Sequence, residues 1–265
     1  MLKANKLKKT NTTNNKKPRF NRIKSKAFVL PSLITVISLF FGFVATINAF
    51  NSEYEIAATF ILFSVIADAC DGRVARRLNV TSDFGKELDS LSDLIAFGMA
   101  PAIILYTWGF YSMANEFGIV VAFIYLACGA MRLARFNVGA SSANIPKNYF
   151  QGLPIPGGAG IIAILCFIYP EPIINEQYAS GLIVLSILVS ALMVSSIPYP
   201  SAKNFNFKEV NKGVIFITLA LVIAFLYYNP KVTLALGFLG YGLSGIILSS
   251  YNLILKVFKK QVNTI

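Results

Sequence analysis

The sequence predicts an all-α polytopic membrane protein of about eight transmembrane helices with both termini on the cytoplasmic side, and three observations carry that prediction. Of 265 residues, 55% are hydrophobic and only 14% charged, and the mean hydropathy of +0.63 excludes an ordinary soluble domain. Apolar runs long enough to cross a hydrocarbon core of about 30 Å recur along the chain. The charges also segregate. The connections near residues 51–53, 108–116, 170–176 and 229–231 hold Glu53, Glu116, Glu171, Glu176 and one base, Lys231, while the other 23 of 24 Lys and Arg fall on the opposite side with both termini.

Residues 1–26 carry ten Lys/Arg and no acid. They read as a disordered basic cytoplasmic tail attracted to an anionic leaflet, at about 1 kcal/mol per basic residue near the surface. Because the tail is fused to a span, a lipid surface is the expected partner rather than nucleic acid. A cleaved signal peptide fits poorly, since the basic region is too long and the apolar run after it is long enough to span. The first span covers residues 27–50, with Pro31 near its start, where a missing N–H costs little. Thr35, Ser38 and Gly42 form a small polar stripe within it, and helix packing through small residues is one explanation. Span two (53–77) and span three (85–107) are joined by a turn at 78–84, and Gly98 and Pro101 should bend span three.

Span four (114–136) ends in MRLARFN, which puts Arg132 and Arg135 on one face. Interfacial anchoring is one reading of the pair and a functional role is the other. The loop at 137–156, running through Asn137 and Lys147 to the Gly/Pro-rich NYFQGLPIPGG, is unusual for a mere connector. Spans five to eight (155–169, 178–197, 213–228 and 232–257) contain essentially no charge and read as scaffold or a dimer surface. The domain division is thus a tail at 1–26, a catalytic transmembrane core at 27–203, and two C-terminal helices with a short basic tail at 204–265.

Six of the twelve acids fall between Asp68 and Asp93, inside apolar sequence. Ionisable groups at membrane depth are costly and mark a site. Asp68 and Asp71 are i, i+3 neighbours and Asp89 and Asp93 are i, i+4 neighbours, so each pair shares a helix face. Two such helices would converge all four carboxylates, and unneutralised they would repel strongly. A hard divalent cation bound through oxygens, with room for substrate phosphates, resolves this, and Mg²⁺ and Mn²⁺ suit such a site equally. Gly72, Ala75 and Gly85 strip side chains from the faces near the acids, and Arg76 could meet a phosphate with its planar fork. The chain has no His, which excludes imidazole catalysis and His-ligated zinc, and Cys70, Cys128 and Cys166 have no paired spacing.

Asp68-x-x-Asp71-Gly72-x-x-Ala75-Arg76, eight residues, then Gly85-x-x-x-Asp89-x-x-x-Asp93 resembles the complete signature of the CDP-alcohol phosphatidyltransferases. The resemblance implies a CDP-linked lipid donor, an alcohol acceptor, release of CMP and two metal ions on the donor's diphosphate. It implies a metal set of Asp68, Asp71, Asp89 and Asp93, in which Asp68 also meets the donor and Asp93 is also the base that takes the acceptor's proton. Members usually open the first span with Pro-Asn and contact the nucleotide one turn later. Here Ser32 follows Pro31, and Thr35 is the position carried over. A homodimer is implied in the same way.

SLSDLIAFGMAPA, CGAMRLARFNV, YFQGLPIP and SSIPYPSAK resemble the membrane-embedded phosphatidylserine synthases of that family. That implies CDP-diacylglycerol and L-serine as substrates, in a bacterial inner membrane with the site facing the cytoplasm. Serine's carboxylate needs a positive partner, and Arg132, Arg135 and Lys147, with Asn137 beside them, are the candidates. Glycerol 3-phosphate would also want cations. A cation or proton transporter would likewise bury acids, but here they cluster at one face with Gly and Arg, and no later span continues the path.

Overall fold

The computed structural model describes residues 29–78, 82–111, 116–139, 149–201 and 212–262. The basic tail, Lys147 and Lys203 lie outside them. Among the described residues are eight helices: α1 (Val29–Phe50), α2 (Tyr54–Leu78), α3 (Asp83–Gly109), α4 (Glu116–Asn137), α5 (Ile155–Ile168), α6 (Glu176–Val194), α7 (Lys212–Tyr228) and α8 (Pro230–Val262). Five of them (α1, α3, α4, α6 and α8) are long and apolar enough to cross a membrane, and the chain is a polytopic membrane protein. The other three differ from the expected spans. Charges of the acid motif lie along α2, and α5 and α7, at 14 and 17 residues, are shorter than the roughly 20 residues of a typical crossing.

α1 turns its small residues inward. Thr35, Ser38, Gly42, Ala45 and Ala49 are buried, while Leu33, Phe40, Phe43 and Phe50 face outward. With lipid as apolar as leucine, close backbone approach rather than hydrophobic burial drives association. α1 packs along α2 and against the first half of α3. Ser38 and Ser64 join their hydroxyls across the α1–α2 seam at 2.7 Å. A Cβ on Gly42 would stand 2.5 Å from Ala96 Cα, which is backbone and cannot swing aside. Gly42→Ala is therefore expected to destabilise by about 1–3 kcal/mol, read as a lower thermal midpoint in detergent. Gly181→Ala, where no atom lies within 4 Å, should change nothing.

Ser82 caps α3, its hydroxyl accepting from Gly85 N at 3.0 Å. The irregularity expected from Gly98 and Pro101 takes the form of two π-helical stretches, Leu94–Met99 and Leu105–Gly109. Pro101 supplies no N–H to Phe97 O one turn back, and Tyr125 Oη donates to that oxygen at 3.2 Å.

The chain is not wholly helical. β1 (Tyr149–Gln151) and β2 (Pro198–Pro200) pair antiparallel, with Phe150 opposite Tyr199. Two of the three β2 residues are prolines without an N–H, which confines this pairing to a short ribbon. The ribbon links the segment before α5 to the end of α6, and α5 is buried against α2 and α8.

Candidate active site

The acids come from the last turns of α2 and the first turns of α3, both of which lean on α1. One carboxylate oxygen from each of Asp68, Asp71 and Asp89 lies within 4.8 Å of the others. Two ligands of one Mg²⁺, each at about 2.0–2.1 Å, stand at most about 4.2 Å apart, so a small side-chain adjustment would let this cluster hold a divalent ion. Asp93 lies outside that three-oxygen group, one turn further along α3, and is only 9% exposed. The sequence treated all four acids as one metal set, whereas the geometry separates three from the fourth.

Thr35 does more than line a helix seam. Its hydroxyl lies 3.0 Å from Asp71 Oδ2 and 3.1 Å from Pro31 O, so it can donate to either. Ser92 Oγ donates to Thr35 O at 3.1 Å and ties α3 to the same point. A chamber of about 170 Å³ opens beside this contact, and Thr35, Gly72, Ala75, Arg76 and Gly85 all line it. A methyl on Gly72 would meet only Arg76 Nη1, at 3.5 Å, so glycine there preserves space. Ser82 and Lys86 also line the chamber, and no sequence pattern singled them out.

A larger cavity of about 1000 Å³ adjoins the same acids. Arg132 enters it, 7% exposed, with its guanidinium carbon 5.5 Å from the Phe136 ring centroid. Its charge acts on Asp93 and Asp68. Asn137 also lines the cavity and donates from Nδ2 to Ser90 Oγ at 2.9 Å, which joins the end of α4 to the start of α3. Val222 and Leu226 from α7 and Leu234 and Phe238 from α8 add apolar lining. α7 and α8, two of the helices read as scaffold or a dimer surface, thus line the cavity. Only isolated glycines in the α8 sequence hinted at close approach.

Arg135 does not line either cavity. Nη1 donates to Val194 O at 2.7 Å, and Nη2 lies 3.0–3.2 Å from the carbonyl oxygens of Gln151, Met193 and Ser195. It caps the end of α6 and fastens β1 to it. Gly152, at φ 76°, completes the joint, since a Cβ there would lie 2.4 Å from Met193 O and 2.9 Å from Arg135 Nη2. The expectation that Arg135 binds substrate overlooked carbonyls supplied from 16 to 60 residues away. Arg135→Lys keeps the charge but loses the fork. With charged hydrogen bonds contributing about 1.5–3 kcal/mol each, the variant should show a clearly lower thermal midpoint; an unchanged midpoint would show that charge alone matters.

A chain named CDP-diacylglycerol–serine O-phosphatidyltransferase from Helicobacter pylori (strain ATCC 700392 / 26695) is 34% identical, over 88% of this chain and 96% of its own. One of the same name from Bacillus subtilis (strain 168) is 35% identical, over 69% of this chain and 97% of its own. An archaetidylserine synthase from Methanothermobacter thermautotrophicus is 37% identical, over 68% and 73%. The profile of CDP-alcohol phosphatidyltransferases matches residues 28–198. A match over well more than half of the chain, taking in every acid of the cluster, makes it a member of the CDP-alcohol phosphatidyltransferase family.

Proposed function

We propose that the protein transfers the phosphatidyl group of CDP-diacylglycerol to the hydroxyl of L-serine and releases CMP. The observation that carries this reading is one cavity in which the signature acids, a buried arginine and apolar side chains adjoin. The relatives' names support serine in particular: the lipid differs between the archaeal synthase and the other two, while serine is common to all three.

Asp68, Asp71 and Asp89 would hold the metal, Mg²⁺ or Mn²⁺ and two ions by family resemblance, which supplies charge neutralisation on the donor's diphosphate. Thr35 orients Asp71. The small chamber takes the cytidine end, with Arg76 toward its phosphates. The acyl chains run toward the apolar side chains of α7 and α8, Val222, Leu226, Leu234 and Phe238. Arg132 receives the serine carboxylate, and Asn137 lies beside it. Asp93 takes the proton from the serine hydroxyl as its oxygen bonds to the lipid-linked phosphorus, and the bond from that phosphorus to the CMP oxygen breaks.

In this reading the eight helices are eight spans with both termini cytoplasmic, in a bacterial inner membrane. Supporting it, the ends of α2, α4 and α6 meet the starts of α3 and α5 at the acid face, the side to which the basic residues segregate. The tail at 1–26 is a partner for anionic lipid, Lys147 is a further candidate partner for the acceptor's carboxylate, and the chain is a homodimer, the last by family resemblance.

The test is CMP release by purified protein given CDP-diacylglycerol and divalent metal, with L-serine compared against glycerol 3-phosphate. Release with serine alone is expected. Preference for glycerol 3-phosphate would sink the serine assignment and the role given to Arg132, and no release with any alcohol would favour a transporter.

A further inference from the structure

Tyr241 lies on α8, beyond the end of the family match at residue 198, yet it lines the large cavity with Arg132, Phe150 and Pro200. Its hydroxyl donates to Pro200 O at 3.3 Å, and its ring centroid stands 5.8 Å from that of Tyr199. Tyr199 is wholly buried and donates to Gly242 O at 3.0 Å. Two glycines make the seats for these rings. A Cβ on Gly157 would lie 3.2 Å from Tyr241 Cε1, and one on Gly245 would lie 2.5 Å from Tyr199 Cζ. The interlock fastens β2 to α8 and the start of α5.

Tyr241 and Arg132 line the same cavity. The Arg132 charge acts on Tyr241 as well as on Asp93 and Asp68. Tyr241 does not line the small chamber assigned to the nucleotide. It therefore belongs to the half of the site that holds Arg132 and the ribbon, where the acceptor would bind.

We propose that Tyr241 is a positioning residue for the acceptor alcohol: its ring closes the side of the acceptor pocket beside Arg132, and its hydroxyl holds Pro200 at the pocket's edge. The proposal rests on the transfer to serine proposed above and adds a determinant from outside the family's matched core. An aromatic wall here would confine a small amino acid against Arg132 without touching the donor.

The experiment measures initial rates of CMP release by the full-length protein with serine and CDP-diacylglycerol varied separately, for wild type, Tyr241→Phe, Tyr241→Leu and Tyr241→Ala. The expected result for Tyr241→Ala is a serine KM raised about tenfold, with the CDP-diacylglycerol KM unchanged and kcat reduced far less, the pattern of lost acceptor binding. Tyr241→Phe keeps the ring and should recover most of the serine KM; if Tyr241→Ala is not monodisperse in detergent, Tyr241→Leu takes its place. A serine KM within twofold of wild type in the variant, or a parallel rise in both KM values with a lower thermal midpoint, would overturn the proposal. Wild-type release with another alcohol and none with serine would defeat the serine reading, and the same KM comparison with that alcohol would still decide Tyr241. No release with any alcohol would defeat both.

Discussion

Asp93→Asn is expected to lower CMP release by about 10²–10⁴-fold, the contribution of a positioned general base, while CDP-diacylglycerol still binds. The amide matches the carboxylate in shape, so packing around this nearly buried side chain is kept. What is lost is the ability to take a proton. Asp93 stands outside the three-oxygen cluster, so its neutralisation should leave metal affinity largely intact. The measurements are turnover and equilibrium binding of CDP-diacylglycerol by the same preparation. If turnover persists within tenfold of wild type, the base lies elsewhere; if binding is lost together with turnover, Asp93 serves the metal and the fourfold acid set of the sequence reading returns.

Asp71→Ala should behave differently, losing turnover and weakening donor binding together. Asp71 is only 5% exposed, contributes to the three-oxygen cluster and accepts from Thr35. Its removal takes a ligand from a metal expected to contribute several kcal/mol of charge stabilisation, or about 10²–10⁴ in rate at 1.36 kcal/mol per decade. Chelation by EDTA should abolish wild-type release, and added Mg²⁺ or Mn²⁺ should restore it. In Asp71→Ala the concentration of metal for half-maximal rate should rise. Full activity after exhaustive chelation would remove the metal from the reaction.

The acid motif was legible because its chemistry is local. Spacings of three and four residues put Asp68 with Asp71 and Asp89 with Asp93, and small residues between them announced a ligand's approach. Helix boundaries within a few residues were legible for the same reason, from hydropathy and flanking charge. Contacts between distant segments were not. Nothing near Arg135 says that its fork is occupied by carbonyls from the end of α6, and nothing in Pro198-Tyr199-Pro200 says that it pairs with Tyr149–Gln151. α7 and α8 look featureless because an apolar cavity wall and a lipid-facing surface use the same residues. Thr35 fell between the two cases: its place on the small-residue stripe was visible, but its bond to Asp71 needed α2 laid against α1.

The inverted pattern of α1 has a bearing on how the protein is made. α1 and α3 are long and apolar enough to cross a membrane, whereas α2, which delivers Asp68 and Asp71, is not among the helices that qualify. Its charges gather in its last turns while its small inward residues match those of α1. A translocon would therefore release α1 to lipid first and retain α2 until α1 shelters it. The helix that carries half of the chemistry then enters the membrane as a passenger of its neighbour, so a large residue in the α1 stripe would deplete the protein during synthesis rather than slow the finished enzyme.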